Sequence, residues 1–180
     1  LILPLLIYMP LTATALIFYV QPIGAAKGWS AELIAASFTG FAAGHAVAIL
    51  LGGQLVDRFT ARNMLAATGL PMVLGIILLG LLDTPFTAFL FMGLIGASTG
   101  LAHTVSSAMW AEVYGVERLG TIRSFSVMLM VAGTAAGPAL VGPMIDAGWP
   151  VALIAALFAG VGIVATLLAL AGRFRARLPA

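Results

Sequence analysis

The sequence predicts an all-α polytopic membrane protein with six transmembrane helices arranged as a 3+3 inverted repeat. Three observations carry this. The 180-residue chain is 62% hydrophobic and only 8% charged, against about a quarter charged in soluble domains, and its mean hydropathy is +1.16. Six apolar stretches are each long enough to cross a hydrocarbon core of about 30 Å, which takes roughly 20 helical residues. The second triplet of stretches partly repeats the first in sequence, at a spacing that turns it upside down.

The six spans run over about residues 3–20, 31–56, 64–82, 86–110, 122–145 and 150–172, and residues 1–180 read as a single six-helix transmembrane domain. Turn and cap residues fill the breaks. Ser30, after Gly28-Trp29, is a candidate N-cap for the second span. Pro85 opens the fourth and Pro150 the sixth, at the helix position where proline is tolerated. Trp29, Trp110 and Trp149 fall at span ends, where amphipathic rings prefer the headgroup level. The chain begins at Leu1 and is apolar from its first residue, unlike a signal peptide, and is expected to be a fragment of a longer protein.

Arginines set the direction. Arg58 and Arg62 lie between spans two and three, Arg118 and Arg123 between four and five, and Arg173, Arg175 and Arg177 follow span six. With alternating spans these fall on one side, and only Lys27 lies on the other. The positive-inside rule makes the arginine side cytoplasmic, with both ends of the chain inside.

Composition also excludes. With no cysteine, neither a disulfide framework nor a thiolate metal site is available. His45 and His103 have no carboxylate at ligand spacing, so no metal is expected. There is no nucleotide-binding loop and no basic cluster interleaved with aromatics, so neither a cofactor nor a nucleic-acid partner is expected. The expected partners are membrane lipid and a small-molecule solute.

At an offset of 89 residues Gly53-Gln54-Leu55-Val56-Asp57 overlays Gly142-Pro143-Met144-Ile145-Asp146, and Ser37, Gly44 and Leu51 overlay Ser126, Gly133 and Leu140. The offset is three spans, so matching ends face opposite sides, the signature of the inverted repeats of secondary transporters. Spans three and six are nearly free of polar residues, and the other four are not. The third member of each triplet is therefore expected to face lipid, with the first two turned inward around a polar path. Thr14, His103, Ser107 and Thr134 are the candidate path-lining residues. Thr99, His103, Ser107 and Trp110 share one stripe at helical spacing, and an ionisable group inside a membrane is a functional candidate. Gly40, Gly44, Gly133 and Gly137 are expected to let helices approach closely, and Pro138 and Pro143 to bend span five.

The stretch from Gly53 through Asp57, Arg58 and Arg62 resembles the cytoplasmic loop signature of the major facilitator superfamily. Thr60 departs from it where the family often has Gly, and Ala61 where it often has a basic residue. Ala111–Gly115, Leu119–Ser124 and the run from Gly137-Pro138 to Gly142-Pro143 and Asp146 resemble the carboxy-terminal half of bacterial facilitators. The resemblance covers all 180 residues and implies a secondary active transporter of a small solute in a bacterial inner (plasma) membrane, one half of a twelve-helix fold. Its partner would be the amino-terminal six-helix half of the same chain, and its drive a proton or solute gradient. It also implies a gating loop in which Asp57 accepts hydrogen bonds at a helix amino terminus across the half–half interface, while Arg58 and Arg62 fix the turn.

Two other classes were weighed. Gly96-Ala97-Ser98-Thr99-Gly100 in the fourth span faintly resembles intramembrane serine proteases of the rhomboid type. Here, however, Thr99 follows the serine where that pattern has glycine, and residues 150–172 hold no histidine to serve as base. The chain is not expected to be an enzyme. A non-transporting sensor or assembly module is the other alternative.

Overall fold

The computed structural model describes residues 2–114 and 119–175. Leu1, Gly115, Arg118 and Arg177, named above, lie outside the described residues. The elements are helices α1 (Leu3–Phe18), α2 (Val20–Ala26), α3 (Ala31–Phe59), α4 (Ala61–Met64), a 3₁₀ turn (Leu65–Gly69), α5 (Leu70–Leu81), α6 (Pro85–Tyr114), α7 (Leu119–Asp146) and α8 (Val151–Arg175). No strand occurs among the described residues. Five helical segments are long and apolar enough to cross a membrane, or six if α1 and α2 form one bent span.

Local chemistry explains most ends. The Ser30 hydroxyl accepts from the Leu33 amide at 3.2 Å and caps α3. The two Gly-Trp turns are built alike. Gly28 (φ 72°) and Gly148 (φ 71°) take the left-handed conformation. The amides of Trp29 and Trp149 reach back to the Gly24 and Met144 carbonyls, closing a Schellman-type cap. Trp29 Nε1 donates to the Asp83 carbonyl at 3.2 Å, and Lys27 Nζ pairs with the Asp83 carboxylate. This clasp joins the turn before α3 to the one before α6.

Two interruptions were not anticipated from the apolar runs. A 61° bend separates α1 from α2 at Tyr19. Pro22 explains it: with no N–H, Pro22 cannot bond the Phe18 carbonyl four residues back, and its ring crowds that carbonyl. The 3₁₀ turn over Leu65–Gly69 precedes Pro71 in the same way. There the Thr68 hydroxyl donates to the Leu65 carbonyl, and Ser98 Oγ donates to the carbonyl of Thr68. By contrast α7 continues through both Pro138 and Pro143.

The packing has an internal symmetry. The α3 helix packs chiefly on α6, and α1 on α7. In the numbering of spans these are two-on-four and five-on-one, which exchange when the triplets are swapped. The third spans, α5 and α8, pack on each other.

Within this chain by itself, burial is distributed unevenly over the spans. About half of the span Ala61–Leu81 is buried, against 17% for α3 and 22% for α7. Span three thus packs extensively within this half, while the more polar spans two and five leave most of their surface uncovered by it. Apolarity marks what a helix tolerates, not how many neighbours it has. Met72, Ile76 and Leu79 of α5 meet other helices instead of lipid. The expectation fits α8 better. Its uncovered face, with Leu153, Leu157, Val161, Val164 and Leu168, is wholly apolar, as a lipid-facing stripe should be.

Candidate functional site: a cavity between α1, α6 and α7

Close helix contact fixes one wall of the site. A Cβ on Gly44 would collide with the Gly93 carbonyl of α6, and one on Gly40 would lie 2.9 Å from the Phe89 carbonyl. Gly96 and Gly100 return the approach against Phe41 and His45 of α3. On the other pair, Gly133 and Gly137 of α7 lie against the Ile7 and Leu11 carbonyls of α1. The α3–α6 seam brings His45 and His103 together, with ring centroids 5.9 Å apart edge to face. Phe41 stacks on His45 from the other side. Thr99 Oγ1 donates its one proton to the Gly96 carbonyl at 2.9 Å. The 3.1 Å contact between His45 Nδ1 and Thr99 Oγ1 therefore has histidine as the donor.

Beside this seam α1, α6 and α7 border an open cavity of about 300 Å³. His103 and Ser107 line it, together with Thr99, Ser106, Ser126 and Arg123. Its apolar walls include Leu6, Met9, Trp110 and Met130. Two of the four candidate path residues thus share one cavity. The other two do not line it: Thr14 is half-buried on α1, and Thr134 is half-buried on α7 with its hydroxyl on the Val131 carbonyl at 2.7 Å. Ser98, the serine of the protease comparison, is fully buried, and its hydroxyl is committed to the Thr68 carbonyl.

Sequence reasoning read Arg123 only as a topology marker, yet it lines the cavity. The available signal was register. Arg123, Ser126, Val127 and Met130 follow three- and four-residue spacing, so one face of α7 carries them all.

The loop residues face outward from this half. Asp57, Arg58 and Arg62 have exposed side chains, and Gly53 is half-buried with open space where a Cβ would stand. Among the described residues no ion pair engages Asp57. The acid that meets a helix amino terminus here is Glu112 at the end of α6. Its carboxylate accepts from the Ala61 amide at 3.0 Å and the Arg62 amide at 3.3 Å, capping α4. Thr60, just before it, has φ 64° and ψ 144°, a conformation favoured by glycine.

A family model described as Major Facilitator Superfamily matches residues 2–179. The chain belongs to that superfamily. Two curated relatives of this facilitator are the Multidrug resistance protein B homologs of two Mycobacterium tuberculosis strains, each 29% identical over 123 residues, or 68% of this chain. The facilitator chain covers 23% of the length of those relatives. No solved structure matches it. Family membership and the long apolar helices make it an integral membrane protein.

Proposed function

We propose that this chain forms one six-helix half of a secondary active transporter of a small solute, working by alternating access in a bacterial inner membrane with both of its ends cytoplasmic. The observation that carries the reading is the cavity of about 300 Å³ between α1, α6 and α7, which places a cation, an imidazole and several hydroxyls among apolar walls. Ionisable groups within or at the ends of spans and turned to a cavity are functional candidates by default, because lipid offers them nothing. The sparse burial of α3 and α7 supports a second six-helix half of the same chain as the partner that covers them. Rocking of the two halves would then expose the cavity to one side at a time, driven by a proton or solute gradient.

In this reading Gly53, Asp57, Arg58 and Arg62 form the gating loop and engage the other half in one of the two states. Within this half Glu112 holds the amino end of α4, leaving the exposed Asp57 carboxylate for the partner. The test is flux. The full-length protein in vesicles should catalyse solute counterflow, and Asp57→Asn should slow it at least tenfold while leaving the thermal unfolding midpoint in place. Absence of counterflow for every solute tried, with a well-folded protein, would favour a non-transporting module. Cysteine labelling from each side, at positions 58 and 27, checks the orientation.

A further inference from the structure

The chemistry of the cavity also specifies what fits it. Among the described residues Arg123 and His103 are the two titratable ones that line it, and no Asp or Glu does. The nearest acid along α6 with a described side chain is Glu112, and both of its oxygens are taken by the Ala61 and Arg62 amides. Across the seam stands His45, whose Nδ1–H is given to Thr99. Among the described residues the Arg123 guanidinium has no ion-pair partner. A guanidinium keeps its charge at every accessible pH, and its fork of donors matches a carboxylate or sulfonate.

The neutral lining groups agree. Thr99, Ser107 and Ser126 spend their hydroxyl protons on carbonyls of their own helices. Ser106 makes no hydrogen bond among the described residues and keeps its proton to donate. An imidazole offers at least one N–H in either charge state. A cationic ligand would therefore face a fixed like charge with no acid beside it among the described residues, whereas an anion would meet Arg123, His103 and Ser106 as donors. The remaining walls are apolar, with Leu6, Met9 and Met130 opposite Trp110. Methionine adapts to varied shapes, and about 300 Å³ is at the small end of ligand pockets.

We infer that the cavity takes a small amphiphilic organic anion, a carboxylate or sulfonate on an aromatic or branched apolar body, with Arg123 as its charge anchor and Ser106 and His103 as further hydrogen-bond donors. This rests on reading the cavity as the solute site.

The experiment uses the full-length protein in phosphatidylcholine vesicles, so that no anionic lipid competes, with three matched probes: 2-naphthoate, neutral 2-naphthamide and cationic 2-naphthylmethylammonium. Binding and counterflow are measured separately. Naphthoate should bind at least about tenfold more tightly than the amide, the difference expected of one charge-assisted hydrogen-bonded pair, and the cation should not bind. Arg123→Gln should remove the preference for naphthoate over the amide. Arg123→Lys, which keeps the charge and loses the fork, should keep part of it. If Arg123→Gln does not fold, the Lys variant and Ser106→Ala decide, each expected to weaken naphthoate severalfold and leave the amide unchanged. Tighter binding of the cation than of naphthoate, or a folded Arg123→Gln that binds naphthoate as before, overturns the inference. Naphthoate that binds through Arg123 but is never moved would sink the transport reading and leave the anion site standing. Counterflow of the cation alone would do the reverse.

Discussion

The two seams that the inverted repeat relates, α3 on α6 and α1 on α7, are not equivalent. Both helices of the first seam contribute glycines: Gly40 and Gly44 lie on the α6 backbone, and Gly96 and Gly100 on the α3 backbone. In the second seam the glycines come from α7, with Gly133 and Gly137 on the backbone of α1. One seam is closed along its length and holds two stacked or edge-on imidazole contacts. The other parts at its arginine-bearing end, where Leu6, Pro10, Arg123, Ser126 and Met130 border the cavity. A duplicated architecture has been divided into a stiff pair and a pair that leaves room for a ligand. Small residues on both partners, rather than on one, make the difference.

The comparison can be broken by substitution. The largest effect is expected at Gly44, where an added methyl meets the Gly93 carbonyl and neither backbone has a rotamer to yield. Gly44→Ala should destabilise by on the order of 1–3 kcal/mol, the usual cost of overpacking, read as a lower thermal unfolding midpoint in detergent. Its repeat mate Gly133 has 3.1 Å to the Ile7 carbonyl, so Gly133→Ala should lose clearly less. The opposite order would remove the distinction between the seams.

Next comes Glu112, which ties the end of α6 to α4 beside the first seam. Glu112→Ala leaves two amides without their acceptor and should lower stability by about 0.5–2 kcal/mol, as lost helix caps do. It should also raise protease cleavage near residue 60. Unchanged cleavage would show that the cap does not hold this turn.

The smallest effects concern the ends of the repeat-related helices, and they should differ in sign. After α3 the left-handed position is filled by Thr60, and after α7 by Gly148. Thr60→Gly should stabilise, and Gly148→Ala should destabilise, each by about 1 kcal/mol. Equal signs would mean that the two ends are held by something other than local backbone preference.

The sequence announces some features better than others, and the physics explains which. The runs of apolar residues and the Gly-Trp turns were legible because they follow from length, charge and local conformation. The break at Tyr19 was legible in principle from Pro22, but an apolar run hides it, since a bent helix is as greasy as a straight one. The burial of span three was not legible at all from composition: lipid and protein interiors accept the same side chains, so Met72 and Leu153 look alike on paper. At the site, His103 and Ser107 were found from their stripe. Arg123 was missed because a charge near a span end is explained equally well by topology. Glu112 was missed because its partners are backbone amides 50 residues and more away in the chain.

The short 3₁₀ turn at Leu65–Gly69 also changes the reach and aim of span three. Five residues wound at about 2.0 Å each instead of 1.5 Å lengthen it by about 2.5 Å and, at 120° rather than 100° per residue, swing everything beyond by about 100°. Ala61 below the turn and Met72 and Ile76 above it are all buried, yet a uniform helix would point one side or the other to different neighbours than it does here. A single span thus works like an offset crankshaft, and regularising it, for instance by replacing Pro71, would turn one half of the shaft away from the helices it now meets.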